Sequence, residues 1–139
     1  MTAKMHTGSC HCGAVRFEAD IDFDNGTLRC NCSICSKARA WFVFVPATKL
    51  RMIQGESNLA DYQWTPPNRP GPHLHYRFCK TCGIRLFGEG NLEALGGPFR
   101  AVAVAVLDDA DADTLATSIK YVDGRNDHFD QEPADTRLL

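Results

Sequence analysis

The sequence has no long apolar run and no excess of basic charge. No stretch approaches the roughly eighteen apolar residues that a membrane-spanning helix needs, which argues against a membrane partner. The 15 basic and 17 acidic residues give a formal net charge of −2, which argues against nucleic acid and anionic membranes as partners. The start, "MTAKMHTGSC", lacks the apolar segment of a secretory signal, so we expect a cytoplasmic protein.

The 139-residue chain also lacks an even set of cysteines for disulfide pairing, since it has seven. A disulfide framework would leave one thiol over, and the reducing cytoplasm disfavours disulfides. One site of four thiolates and one site of three would use all seven. The cysteines therefore indicate metal binding.

Helical periodicity is scarce, and short alternating or β-branched and aromatic segments recur instead. This pattern predicts a mainly β single domain over residues 1–139, with a core at about 6–125 and a C-terminal tail at 126–139. The predicted strands are 14–19, 41–45, 50–54, 73–78, 84–87 and 100–107. The best helix candidate is "DADTLATSI" (111–119), whose acidic start suits a helix N-terminus.

Two segments resemble each other: "CHCGAVRF" (10–17) and "CKTCGIRLF" (79–87) each give two cysteines, an immediate glycine and then a strand. A tight turn that presents two thiolates to one metal often demands positive φ, which Gly13 and Gly83 can adopt. Zinc bound by four thiolates contributes folding free energy, on the order of 10 kcal/mol in small zinc domains. We predict one closed structural zinc site with the ligands Cys10, Cys12, Cys79 and Cys82.

The stretch "RCNCSICSK" (29–37) supplies the other three thiols, Cys30, Cys32 and Cys35, and no glycine follows any of them. Three protein donors with a free corner are typical of a catalytic zinc. Three thiolates make the zinc a weak Lewis acid, so capture of an incoming thiol is more apt than activation of water. Zinc would lower the pKa of that thiol from its usual ~8.5 and make it a nucleophile at neutral pH.

Other interpretations of this stretch stay open at this point. His73 or His75 could close the second site as a fourth ligand, since strand alternation puts both on one face. Cys32 and Cys35 form a C-x-x-C that could be a redox pair, although the βαβ pattern of a thioredoxin-like unit is missing. Iron could replace zinc in sites made of thiolates.

Four further side chains near the cysteines have a functional and a structural interpretation. Arg77 and Arg85 flank "CKTC", and an arginine could clamp a substrate carboxylate, but a solvated strand charge is favoured. Trp41 and Phe42 could line a pocket beside the three-cysteine stretch, but core packing is favoured.

The ordered cysteine pattern resembles the glutathione-dependent formaldehyde-activating enzyme and centromere protein V family. The resemblance is carried by "GSCHCGAVRF" (8–17), "RCNCSICSK" (29–37), "YRFCKTCGIRLF" (76–87) and "YVDGRN" (121–126). It implies a compact domain of several small coiled antiparallel sheets organised around two zinc ions. It also implies that the four-cysteine zinc is structural and the three-cysteine zinc is catalytic.

The activity that gives this family its name is the condensation of glutathione with formaldehyde to S-hydroxymethylglutathione, formally a carbon–sulfur lyase reaction run in reverse. The resemblance thus implies a zinc-dependent carbon–sulfur lyase-type enzyme that acts on a glutathione or other thiol adduct of a small aldehyde. The alternative is a zinc-stabilised binding or scaffold module without catalysis. The sequence gives no indication of the oligomeric state.

Overall fold

The computed structural model describes residues 3–67, 69–71 and 74–139, and there the chain is mainly β, as the sequence predicts. The strands are β1 (Lys4–Ser9), β2 (Arg16–Ile21), β3 (Thr27–Cys30), β4 (Phe42–Pro46), β5 (Leu50–Gln54), β6 (Leu59–Trp64), β7 (Leu74–Cys79), β8 (Arg85–Leu92), β9 (Gly97–Ala103) and β10 (Ile119–Val122). The helices are α1 (Ser33–Ala38) and α2 (Ala112–Ala116), with 3-10 turns at Phe23–Asn25, Ala47–Lys49, Glu56–Asn58, Glu93–Leu95, Val104–Val106 and Gly124–Asn126. Within these ranges no helix has the length and apolarity needed to cross a membrane.

A three-stranded antiparallel sheet has the order β1-β2-β5. Alternation along β2 buries one face of the strand, with Phe17, Ala19 and Ile21 at 0–1% exposure. The opposite face carries Glu18, whose carboxylate accepts a hydrogen bond from Arg51 of β5 at 2.9 Å. The sheet therefore has one apolar and one charged face, as period-2 patterning dictates.

A seven-stranded sheet has the order β10-β3-β4-β9-β8-β7-β6. All its neighbouring strands are antiparallel except β10 and β3, which pair in parallel with Tyr121 opposite Arg29. Its buried residues join those of the small sheet in one core. The Phe17 ring of the small sheet, for example, meets Phe87 of β8 edge to face at 5.8 Å between ring centroids, so the two sheets share their apolar faces.

Two predicted elements are shorter in the structure than the sequence suggests. The apolar run 100–107 stays a strand only to Ala103, because Val104–Val106 forms a 3-10 turn and Leu107 then bridges to Gly8 of β1. Helix α2 begins after Asp111, whose carboxylate accepts a hydrogen bond from the Thr114 N–H at 2.8 Å and caps the helix. It ends at Ala116 because the next residues lead directly into β10.

Candidate metal centres

All seven cysteines lie in the described residues, and none forms a disulfide. They come together as two clusters, and in each cluster the sulfur atoms all lie within 4.8 Å of one another. The first cluster contains Cys10, Cys12, Cys79 and Cys82, and the second contains Cys30, Cys32 and Cys35. Each cluster could hold a metal ion.

Two turns of similar geometry build the four-cysteine cluster. In one turn the Gly13 N–H donates to the Cys10 carbonyl at 3.2 Å, and in the other the Gly83 N–H donates to the Cys79 carbonyl at 2.9 Å. Both glycines have positive φ, +80° and +77°, which a side chain would disfavour. The sequence prediction for these glycines is therefore confirmed by the backbone.

The sulfur spacing in this cluster fits a tetrahedral metal site. The Sγ atoms of Cys10 and Cys12 are 3.6 Å apart, and those of Cys12 and Cys79 are 3.7 Å apart. Zinc–sulfur bonds of about 2.3 Å at the tetrahedral angle separate the sulfur atoms by about 3.8 Å. The donor set therefore fits zinc in both chemistry and size.

Amide groups are directed at the sulfur atoms and favour their thiolate form. The Val15 N–H donates to Cys10 Sγ at 3.3 Å, and the Asn58 side-chain amide donates to Cys79 Sγ at 3.4 Å. The backbone N–H groups of Cys12 and Ile84 lower the pKa of Cys82 to about 6. The Ala14 N–H lowers the pKa of Cys12, but burial and the hydrogen bonds to the other three cysteines outweigh it and raise that pKa to about 11. Thiolates at all four positions therefore need a cation to coexist.

This cluster also connects the two sheets. Cys10 directly follows β1 of the three-stranded sheet, and Cys79 is the last residue of β7 in the seven-stranded sheet. Cys10 and Cys79 are themselves buried, at 4% and 0% exposure. A metal held here would tie the two sheets together at one corner of the core.

The three-cysteine cluster lies where β3 passes into α1. Cys30 ends β3, Cys32 is the N-cap residue of α1, and Cys35 lies one turn later in that helix. The helix ends after one and a half turns at Arg39, whose backbone is left-handed and whose N–H donates to the Cys35 carbonyl. A strand end followed by a single short helix thus directs three nearby thiols to one point.

Hydrogen bonds among the three thiols shift their pKa values in opposite directions. Hydrogen bonds from the thiols of Cys30 and Cys35 hold the pKa of Cys32 well below that of an ordinary thiol. In turn, the hydrogen bonds to Cys32 raise the pKa of Cys30, and those to Cys30 and Cys32 raise the pKa of Cys35. Three thiolates this close need a cation to coexist, which is the role a divalent metal would have.

A segment far away in sequence, residues 123–126, packs on this cluster. Asn31 donates its side-chain amide to Asp123 Oδ1 at 2.8 Å, and its side-chain oxygen accepts the Arg125 N–H at 2.9 Å. Between these two residues lies Gly124, where an added Cβ would sit 2.4 Å from Cys30 Sγ. Glycine is required at this position because the backbone approaches the sulfur so closely.

No histidine or carboxylate of the described residues joins the three sulfur atoms as a fourth donor. His75, one candidate for that role, instead has its Nδ1 atom 2.9 Å from Asp61 Oδ2. The other candidate, His73, lies outside the described residues.

A groove of about 590 Å³ runs between α1 and one face of strands β6, β7 and β8. Its lining includes Lys37, Tyr62, Trp64, Tyr76, Phe78 and Arg85. Two further lining residues, Ser33 and Ile34, directly follow Cys32 in the chain. No cysteine is among the described residues that line the groove, but its α1 side directly continues the three-cysteine cluster along the chain.

The other side chains considered from the sequence lie away from this groove. Arg77 donates to Glu89 at 2.9 Å, so only Arg85 of the two arginines lines the groove. Trp41 packs against the core, and its indole N–H donates to Thr27 Oγ1 at 2.8 Å. Phe42 makes an edge-to-face contact with Phe44 at 5.3 Å between centroids.

Sequence reasoning missed two parts of this site. The groove aromatics Tyr62, Trp64 and Tyr76 lie on two strands, and only the pairing of β6 with β7 puts them on one face. The 123–126 segment overlaps the motif "YVDGRN", which carried part of the family resemblance. The available signal was Gly124, which lies between two residues with hydrogen-bonding side chains. That signal did not show that this segment packs on the three-cysteine cluster.

Comparisons with known proteins agree with this architecture. A family model described as glutathione-dependent formaldehyde-activating enzyme matches residues 5–122. A crystal structure of a Rhodobacter sphaeroides protein, determined as a structural genomics target, is similar with a TM-score of 0.65 and 28% sequence identity. The match covers 84% of this chain and 99% of that chain.

Proposed function

The chain belongs to the glutathione-dependent formaldehyde-activating enzyme family, and from this premise we propose that it joins a thiol to a small aldehyde and reverses that reaction. The thiol sulfur forms a bond to the aldehyde carbon, the carbonyl becomes a hydroxyl group, and the thiol proton ends on that oxygen. No atom is oxidised or reduced. Run in reverse, the reaction is a carbon–sulfur lyase step on a thiol adduct, with glutathione and formaldehyde as the substrates that the family name implies.

The two cysteine clusters have different proposed roles. Cys10, Cys12, Cys79 and Cys82 hold a structural zinc, and Cys30, Cys32 and Cys35 hold the catalytic one. A zinc ion bound by these three thiolates would supply a coordination position for the substrate thiol and lower that thiol's pKa. The observation that carries the proposal is a cluster of three sulfur atoms beside a groove, with no histidine, carboxylate or further cysteine of the described residues joining it as a fourth ligand.

Side chains of the groove have roles in binding and proton transfer. Tyr76 is 9% exposed and lines the groove, and burial raises the pKa of its hydroxyl, an effect that the sulfur atoms of Cys35 and Cys32 reinforce. The hydroxyl therefore stays protonated, and we assign it to donate a hydrogen bond to the aldehyde oxygen as charge develops there. Phe78 and Trp64 exclude water from the reacting carbon.

Metal content and a pair of cysteine variants test the proposal. Protein with fully reduced thiols is expected to hold two zinc ions per chain, identified by anomalous scattering so that iron is distinguished. Cys35→Ala is expected to lose one of them and all turnover of glutathione with formaldehyde while remaining folded. Its matched control, Cys82→Ala, is expected to lose cooperative unfolding as well, because the four-cysteine cluster joins the two sheets.

A scaffold module without catalysis gives the opposite pattern. In that case the unaltered protein shows no turnover with any thiol and aldehyde, and Cys35→Ala loses stability. The proposal would also be wrong if the second cluster bound no metal in anaerobic protein. Its proposed setting is the reducing cytoplasm, where thiols remain available to a metal.

A further inference from the structure

The groove beside the three-cysteine cluster has a surface that formaldehyde does not need. Formaldehyde contributes a single carbon to its adduct, whereas the strand side of the groove presents Tyr62, Trp64, Tyr76 and Phe78. Tyr62 and Tyr76 lie opposite each other on β6 and β7, with ring centroids 6.3 Å apart. An aromatic surface of this extent suits stacking with a flat apolar molecule.

The charges in the groove all have the same sign. Lys37 enters it from α1 and Arg85 from β8, and in the described part of the chain neither residue forms a salt bridge. Arg85 lies over the Tyr76 ring at 4.5 Å, which places its guanidinium above the aromatic surface. By contrast, Arg77 on the same pair of strands is neutralised by Glu89.

No carboxylate lines the groove among the described residues. A ligand's ammonium group would therefore be repelled by Lys37 and Arg85 and would find no carboxylate to pair with. A ligand's carboxylate, in contrast, could accept hydrogen bonds from both side chains. A ligand that complements this surface has a flat apolar body with a carboxylate at one end. Ser33 and Ile34 of the groove lining directly follow Cys32 in the chain, so a ligand held by Arg85 and Lys37 would lie beside the three-cysteine cluster.

We propose that the groove selects aldehydes with an aromatic body and a carboxylate, so that the aldehyde part of the thiol adduct, more than the thiol, determines specificity. This inference rests on the proposed function, because it places the aldehyde carbon at the three-cysteine cluster. The aromatic ring stacks on the Tyr62 and Trp64 side, and the carboxylate pairs with Arg85 and Lys37. The bonds formed and broken are those of the proposed reaction.

Binding of unreactive alcohols tests the inference without any turnover. The probes are 4-(hydroxymethyl)benzoate, which has both features, benzyl alcohol, which has only the ring, and glycolate, which has only the carboxylate. Titration calorimetry on the zinc-loaded protein is expected to give the first probe at least tenfold tighter binding than either of the others, since benzyl alcohol lacks the charged hydrogen bonds and glycolate lacks the stacking ring. Equal binding of glycolate and 4-(hydroxymethyl)benzoate would overturn the inference.

Two groove variants and one control locate the binding. Arg85→Gln is expected to weaken 4-(hydroxymethyl)benzoate on the order of tenfold and leave benzyl alcohol unchanged, since it removes one charged hydrogen bond. Trp64→Ala is expected to weaken both. Arg51→Gln, on the exposed face of the three-stranded sheet, removes a similar charge and is expected to change neither. Unchanged affinity in Arg85→Gln would also overturn the inference.

Turnover with four aldehydes separates this inference from the proposed function. The aldehydes are 4-carboxybenzaldehyde, benzaldehyde, glyoxylate and formaldehyde, each with glutathione. A kcat/KM highest for 4-carboxybenzaldehyde supports the inference. Turnover of formaldehyde alone refutes it and leaves the proposed function intact. Turnover of none of them, together with tight binding of 4-(hydroxymethyl)benzoate that depends on Arg85, refutes the proposed function and retains the ligand site.

Discussion

The close approach of Gly124 to the three-cysteine cluster gives a quantitative prediction. In Gly124→Ala the new methyl group would lie 2.4 Å from Cys30 Sγ and 3.2 Å from the Phe129 ring. Normal contacts need about 3.5–4.0 Å, so the sulfur atom or the 123–126 segment must move by about 1 Å. Cys30 is 4% exposed and has little room to move.

Overpacking of this kind costs about 1–3 kcal/mol. We expect most of that free energy to be lost from metal binding, because a bound metal would fix Cys30 Sγ at the position that the new methyl group crowds. The affinity of the three-cysteine cluster should then fall by about 5- to 150-fold, since each 1.4 kcal/mol is tenfold. The four-cysteine cluster is expected to be unaffected.

Competition with a chromophoric chelator measures this prediction, because it resolves the two metal equivalents. Cys35→Ala identifies which equivalent belongs to the three-cysteine cluster. Gly71→Ala is the matched control, since an added Cβ there meets nothing within 4 Å. The reasoning is refuted if Gly124→Ala retains the affinity of the control, or if both equivalents weaken together.

Three further predictions concern the supports of each cluster and the core. Asn58→Ala removes a hydrogen bond to a sulfur of the four-cysteine cluster. Loss of a group that supports a metal ligand typically weakens metal affinity by about 10- to 100-fold, and we expect that loss in chelator competition. An unchanged affinity would contradict this prediction. Phe17→Ala should lower the free energy of unfolding by about 3–5 kcal/mol in a denaturant titration, because Phe17 is fully buried between the sheets. The side-chain amides of Asn126 and Asn31 lower the pKa of Asp123 in the folded protein. The ionised carboxylate should therefore contribute its full stabilisation above the unfolded pKa of about 3.9, and this stabilisation should be lost as the pH falls through the folded pKa. The stability difference between the unaltered protein and Asp123→Asn should therefore shrink between pH 5 and pH 2, and a constant difference would show that the carboxylate charge is irrelevant.

The strands that the sequence predicts well are those with an apolar face packed against the core, which is buried in β4 and half-buried in β5. The predicted 41–45 and 50–54 correspond to β4 and β5 within one residue, because alternation there reflects burial. Strands β1 and β6 have no such signal. In β6 only Leu59 is buried, and Asp61 to Gln63 are exposed, so this strand exists through its hydrogen bonds to β7 and not through an apolar pattern.

The candidate site also has parts that the sequence predicts and parts that it does not. The cysteines of the two clusters could be grouped from the sequence because glycines mark two of the turns, and a turn is a local feature. The groove and the position of the 123–126 segment could not be predicted from the sequence, because both depend on which strands pair. Asn31 and Asp123 are 92 positions apart and meet only because β3 and β10 lie side by side in parallel.

The long separation within the four-cysteine cluster has a consequence for synthesis of the chain. Cys12 and Cys79 are 67 positions apart, so at 5–20 residues per second the ribosome needs roughly 3 to 13 s to add the second pair of thiols. During that interval the first pair is an exposed, half-complete chelate, whereas the thiols at 30–35 emerge together. If zinc has the proposed structural role, metal capture and thiol oxidation compete at Cys10 and Cys12 in the nascent chain, and metal supply during translation affects how much of the protein becomes native.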